Sequence, residues 1–203
     1  MLQLFHSPAS PFVRKVMVVL HETGQIGDVE IRAANVSPLG SGDPVLSHNP
    51  LGKIPALVRP DGPALYDSRV ICRYLDHRAR AGLYPEARLW ETLTLEATAD
   101  GIMDAAVLMV YEGRVRDEAM RSVAWLDAQW SKVTRTLDAV EGRWMPHLAG
   151  RMDAGQIALG CALSYLDFRH GDRDWRGARP ALTRWHEKIS DRPSFAATKP
   201  PET

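Results

Sequence analysis

The segment Ser7-Pro8-Ala9-Ser10-Pro11-Phe12 joins a strand-like run, MLQLF, to a helix-like run, FVRKVMVVLHETG. A strand-to-helix turn presents free backbone N–H groups and the positive end of a helix dipole. Both favour an anion. Pro11 suits a first helical turn, which makes Ser10 a helix cap. Two roles are open to the Ser10 hydroxyl, and they can coexist: capping the helix, and donating a hydrogen bond to a bound thiolate. The second matters chemically because the thiolate is the reactive form of a thiol. Ser7, at the end of the strand, is the alternative donor.

Two further turns carry residues of useful type. In Asn49-Pro50-Leu51-Gly52-Lys53-Ile54-Pro55 a loop runs into a strand. A cis bond before Pro55 would bend the chain and leave the backbone of Ile54 open to an extended peptide. Lys53 can reach a carboxylate; a plain turn with a solvated lysine is the alternative. In Tyr66-Asp67-Ser68-Arg69, Asp67 and Ser68 open a helix. Both can cap it, while Ser68 and the free N–H groups can take a carboxylate and Asp67 can accept from an ammonium. Together the three turns suit a short, zwitterionic, thiol-bearing peptide.

The elements that must position these turns follow from the patterning. Residues 1–79 read strand, helix, strand, hairpin around Pro60-Asp61-Gly62, helix. In the first helix Val13, Val16, Met17 and Leu20 form the inward stripe. This order predicts a thioredoxin-like α/β domain with a mixed four-stranded sheet. The stretch 37–53 reads as loop with a turn or two of helix. Residues 80–87, with Gly82 and Pro85, form the linker. Residues 88–203 form an all-helical domain, with helices expected at 86–112, 117–146, 154–169 and 178–190 and an extended tail at KPPET. In the second of these, Leu126, Trp130, Val133, Leu137, Val140 and Trp144 form the buried stripe. The six tryptophans are expected in the core or between domains. Asp153 and Gln156 have capping-box spacing ahead of an almost wholly apolar helix. Met109, Tyr111 and Arg114 are candidates for a second, apolar pocket, with core or surface placement as the alternative.

Composition narrows the function. Twenty-five basic and 25 acidic residues cancel, so the broad positive field of a non-specific nucleic-acid binder is absent. No apolar run approaches the length of a membrane span and no signal-peptide pattern opens the chain, so a cytoplasmic protein is expected. Cys72 and Cys161 are isolated and expected to stay reduced. The seven histidines show no metal-ligand spacing, and the series Arg69, Arg73, His77, Arg80 reads as a solvated helix face.

Four motifs in order, SPASPFVRKV, NPLGKIPAL, the Asp67-Ser68 pair, and IALGCALSYLDFR followed by DWRGARPALTRWHEKISDRPSF, resemble the bacterial glutathione S-transferase family over nearly the whole chain. The resemblance implies a thioredoxin-like domain plus a helical domain, usually as a homodimer, with glutathione as cosubstrate, a small apolar electrophile as the other substrate, and no metal. Ser10 matches the sulfur-contacting residue of serine-type members, and Ser7 matches that of some other classes. Phe12, Lys53, Ile54, Pro55, Asp67 and Ser68 fall at glutathione-binding positions, Pro55 being typically cis. The chain departs from the family in having no cysteine at 7 or 10, which argues against disulfide reduction, and in carrying Asp153 and Gln156 where Ser or Thr and Asp are usual. A weakly catalytic or non-catalytic glutathione-binding protein of stress response, and a glutathione-dependent peroxidase, are the alternative readings.

Overall fold

The computed structural model describes residues 1–40 and 44–201. Part of the 37–53 loop and the end of the KPPET tail lie outside them. Two compact units result: residues 1–89 together with the stretch from Pro193, and Trp90–Arg192.

The first unit is built on strands β1 (Leu2–His6), β2 (Val29–Ala33), β3 (Ala56–Arg59) and β4 (Gly62–Leu65), with helices α1 (Pro11–Glu22) and α2 (Ser68–Ala79). The sheet order is β2-β1-β3-β4. β1 runs parallel to β2, with Leu2 opposite Val29, and antiparallel to β3, with Phe5 opposite Ala56. β3 and β4 form the hairpin around Pro60 and Asp61, with Leu57 opposite Leu65. This is the mixed four-stranded thioredoxin-like sheet.

Helix α1 is rich in valine, a residue with poor intrinsic helix propensity. Burial compensates. Val13, Val16, Val18, Val19 and Leu20 are all fully buried, each contributing about 1.5–3 kcal/mol. The helix is therefore buried more widely than the single stripe expected, and Met17 within that stripe is only partly buried. The reason is that α2 packs on α1 and so does α8 (Pro193–Ala196), a short helix at the chain's end. Arg14 Nη2–H donates to the Phe195 carbonyl at 3.2 Å and its guanidinium lies over the Phe195 ring. These contacts seat the stretch from Pro193 in the first unit, whereas the sequence reading extended the helical domain to residue 203.

The second unit contains α3 (Leu89–Val115, from its second residue), α4 (Val123–Arg143), α5 (Met145–Leu148), α6 (Ala154–Arg169) and α7 (Pro180–Ser190). α4 begins at Val123 rather than 117. Ser122 caps it, its hydroxyl oxygen accepting from Trp125 N–H at 3.3 Å. The residues before it are held in a connector, where Glu112 accepts from Ser122 N–H and from Arg116. The expected α4 stripe is buried at Val133, Leu137 and Val140 but only partly at Leu126, Trp130 and Trp144. Trp175 alone of the six tryptophans is fully buried, and Trp90 is 76% exposed. No helix of the described residues is long and apolar enough to cross a membrane. Cys72 and Cys161 are buried and form no disulfide.

α6 is the central helix of this unit, buried on nearly every side. It approaches α3 so closely that a Cβ on Gly155 would sit 2.8 Å from the Thr92 carbonyl oxygen. Its cap is the fully buried Asp153. Asp153 Oδ1 accepts from Gln156 N–H at 3.0 Å, and Oδ2 accepts from Thr92 Oγ1–H at 3.1 Å and lies 2.7 Å from His147 Nε2. The capping box is only half formed. The Gln156 amide does not return to the cap but donates to the carbonyls of His147 and Arg151, stapling down the turn before the helix. Truncating Asp153 removes the cap and strands Thr92 and His147 in the interior. Asp153→Ala is expected to cost about 2 kcal/mol, read by equilibrium denaturation; an unchanged midpoint would show that the cap carries no stability.

Candidate functional site

Strand register brings the three turns together. β1 leaves the sheet at His6 and enters the Ser7–Ser10 turn. Phe5 faces Ala56, so β3 begins at that same end, with Pro55 just outside it. β4 runs back antiparallel with Leu65 opposite Leu57, so Tyr66 and Asp67 emerge there too. The N-termini of α1 and α2 follow directly. Two helix N-termini and the start of β3 thus share one end of the sheet, where the free N–H groups and dipoles of the helices favour negative charge.

At the first turn Ser10 caps α1, with its hydroxyl oxygen accepting from Val13 N–H at 3.3 Å. Ser10 N–H donates to the Ser7 carbonyl at 3.1 Å, closing the turn. An accepting hydroxyl keeps its own proton to donate, so capping and donation to a thiolate are compatible. Ser7, Ser10 and Phe12 are all half-buried. Beneath them Phe5, Val13, Val45, Ile54 and Ala56 form an apolar cluster that gives the turn a rigid floor. Burial lowers the pKa of His6 below its ordinary value, so His6 adds no positive charge at neutral pH.

At the second turn the Ile54–Pro55 bond is cis. Ile54 lies beyond Phe5–Ala56, the last pair of the β1–β3 ladder. The sequence reading passed over Asn49, which holds this loop. Asn49 is 2% exposed. Its Nδ2–H donates to the Lys53 carbonyl at 2.8 Å, and its Oδ1 accepts from Leu51 N–H at 3.1 Å. Gly52 adopts φ +62° inside the loop, a conformation that glycine takes without penalty. The Lys53 side chain is exposed. An Asn-Pro pair followed by Gly was the available signal for this side-chain-closed turn.

At the third turn Asp67 caps α2. Its Oδ1 accepts from Arg69 N–H and its Oδ2 from the Arg69 guanidinium, both at 2.9 Å. The Tyr66–Asp67 bond is also cis. Ser68 is 1% exposed, and its hydroxyl makes no hydrogen bond to another described residue. Burial pushes the Asp67 carboxyl up, but hydrogen bonds and charge from Arg69, with a contribution from the Lys15 ammonium, outweigh it and leave the carboxyl below its ordinary value. Lys15, buried in α1, thus acts electrostatically on the α2 cap; its polar type inside a valine-rich helix was the clue in the sequence.

Met109, Tyr111 and Arg114 belong to the helical unit, late in α3. Met109 is buried, Tyr111 half-buried and Arg114 exposed. Tyr165 and Arg169 of α6 accompany Tyr111 and Arg114, closely enough to interact electrostatically. Burial pushes the Tyr165 phenol up to about 12, so it stays a neutral hydrogen-bond donor. Among the described residues no group of three or more His, Cys, Asp or Glu side chains could hold a metal ion.

The chain is similar to known proteins over nearly its whole length. The family model for the glutathione S-transferase N-terminal domain matches residues 4–82, and that for the C-terminal domain matches residues 123–188. YibF, an uncharacterized GST-like protein of Escherichia coli (strain K12), is 35% identical, with 99% of this chain and all of YibF covered. A crystal structure of a glutathione transferase family member from Pseudomonas fluorescens Pf-5 with bound glutathione is 48% identical, covers 100% of both chains and superposes with a TM-score of 0.97. A second structure of a family member from that organism, with bound S-(propanoic acid)-glutathione, is 48% identical, with 99% of this chain and 100% of that one covered and a TM-score of 0.91.

A carboxyl depressed in the folded state stabilises the protein above its unfolded pKa and loses that contribution as the pH falls through the folded value. The Asp67 side chain is 53% exposed, so screening leaves little effect on stability, and direct titration is the sharper reading. Arg69→Ala is expected to move the Asp67 carboxyl upward in a carbon-detected NMR titration. An unmoved titration would remove Arg69 as the cause.

Proposed function

We propose an activity for this chain, which belongs to the glutathione S-transferase family: it binds glutathione at the first unit's three turns, activates the thiol and transfers it to a small electrophile. The observation that carries this reading is the meeting of two helix N-termini and the cis Ile54–Pro55 turn at one end of the sheet. Ser68 and the N-terminal N–H groups of α2 receive the γ-glutamyl carboxylate, and Asp67 accepts from the ammonium. The backbone of Ile54, outside the ladder, pairs with the cysteinyl backbone, and Lys53 meets the glycine carboxylate. Phe12 completes the wall beside Ser10. The bound glutathione and glutathione conjugate in the Pseudomonas fluorescens structures support this reading, as does the small size of the propanoic acid substituent. The protein acts in the cytoplasm as a homodimer.

The chemistry rests on the thiol's protonation state. A thiol of ordinary pKa is about 3% thiolate at pH 7. Lowering its pKa by about 2 units makes thiolate the majority form, a change of roughly 2.7 kcal/mol between the two states. A hydrogen bond to a charged group supplies about 1.5–3 kcal/mol, and the α1 dipole adds about 0.3–1 kcal/mol. Ser10 and its helix together are sufficient. The protein's other contribution is to hold thiolate and electrophile in reacting orientation.

Ser10→Ala is expected to raise the bound thiol pKa by about 1 to 2 units and to lower kcat/KM at neutral pH by about 10- to 100-fold. It also removes the α1 cap, so Ser10→Asp is the companion variant. Aspartate caps a helix as well as serine does, yet it repels a thiolate. Stopped-flow thiolate absorbance and turnover in both variants separate the roles: a fully active Ser10→Asp would reduce Ser10 to a cap.

A further inference from the structure

The two edges of the sheet are built differently. β4, at one edge, carries Pro63, which has no N–H to offer, and its pairing with β3 shifts register between Leu57 and Arg59. A proline and an irregular register both discourage a further strand from adding there. β2, at the other edge, has neither. Its register with β1 runs unbroken from Leu2–Val29 to His6–Ala33. Ala34 N–H donates to the His6 carbonyl at 2.9 Å. The alternation of the ladder therefore turns the peptide groups of Glu30 and Arg32 toward β1 and those of Val29, Ile31 and Ala33 away from it. Among the described residues the outward groups of Ile31 and Ala33 have no hydrogen-bond partner. Ile31 is 41% exposed, and Arg32 and Ala33 are exposed as well.

The side chains along this edge are arranged symmetrically. Glu30 and Arg32 stand two apart on one face of the sheet, on either side of Ile31. Arg32 Nε lies 3.1 Å from Glu30 Oε1, and Gln3 Nε2–H donates to Glu30 Oε2 at 3.2 Å. Both charged side chains are half-exposed, and the remaining N–H groups of the guanidinium fork leave Arg32 able to donate further. An edge strand with charges of one sign repels a copy of itself. β2 carries one of each sign, centred on Ile31. Set antiparallel to itself about that residue, it places acid opposite base on one face. On the other face Ile31 meets Ile31, and Val29 meets Ala33.

We propose that β2 is a docking edge for a second copy of this chain, the two strands pairing antiparallel across a two-fold axis at Ile31. Ile31 exchanges N–H···O=C bonds with the partner's Ile31, and Val29 and Ala33 do so with the partner's Ala33 and Val29. Glu30 and Arg32 face the partner's Arg32 and Glu30. One continuous sheet results, with four strands from each copy. A foreign strand would need the same acid–apolar–base order to fit as well. The proposal stands apart from the transferase reading. β1 and β2 are parallel and run toward the end of the sheet that holds the serine turn and Pro55. The antiparallel partner therefore carries its own turns at the opposite end, and the pairing covers neither set.

Sedimentation velocity over a range of protein concentrations reads the association. Glu30→Arg and Arg32→Glu each set two like-charged pairs across the axis, and each is expected to weaken the association of the wild type at least about tenfold. An equimolar mixture of these two variants is expected to recover it, because every cross-strand pair is then of opposite sign. The mixture separates pairing between copies from loss of the Glu30–Arg32 contact within one strand, which mixing cannot restore. Ala33→Pro removes an outward N–H while leaving the β1–β2 ladder intact, and it is expected to abolish the contact. Circular dichroism and the thermal midpoint check that each variant is folded. A wild type of monomer mass at every concentration would overturn the proposal. So would variants that associate as the wild type does, or a mixture that associates no more strongly than its two components alone.

Discussion

The antiparallel pairing of β1 with β3 fixes where everything at the candidate site can lie. With Phe5 opposite Ala56, the strand that ends in the serine turn and the strand that begins after Pro55 must meet at one end. A slip by one residue would send Phe5 and Ala56 to opposite faces and break up the apolar cluster they share with Val13, Val45 and Ile54. The cluster therefore enforces the register, and the register assembles the site. The β3–β4 hairpin extends the same logic to Asp67 and Ser68. Three segments distant in sequence become one surface through hydrogen-bond geometry and one buried patch.

Charge follows the same economy. The chain is neutral as a whole, yet favourable positions for anions are made locally, from helix N-termini in the first unit. In the first unit the free N–H groups are fixed dipoles that need no counter-ion. Lys15 and Arg69 modulate the first site by depressing the Asp67 carboxyl.

What could be read from the sequence was local. Helix caps at Ser10 and Asp67, the Pro60-Asp61 reversal and the Ile54-Pro55 bend are each specified by a few adjacent residues. The candidate residues fall at turns that the fold brings to one end of the sheet. The burial of α6 was equally legible because its residues are almost all apolar. What escaped depended on partners far along the chain. Tyr165 and Arg169 join Tyr111 and Arg114 only because α6 lies against α3. Asn49 closes its loop with a side-chain amide that has no periodic signature. The wide burial of α1 depends in part on α8, whose contacting residues are some 180 positions away. The start of α4 was misplaced because charged residues 116–121 have respectable helix propensity, while Glu112, Arg116 and Arg121 pin them in another conformation.

The central claim is that the converging turns form a glutathione site. Titration calorimetry of glutathione into the wild type and Ser68→Ala tests it most directly, since the Ser68 hydroxyl makes no other hydrogen bond among the described residues and its loss disturbs little else. The account predicts micromolar to millimolar binding in the wild type, weakened about tenfold in the variant, the size of one hydrogen bond to a charged group. Absence of binding in the wild type, or equal affinity in both proteins, would contradict it.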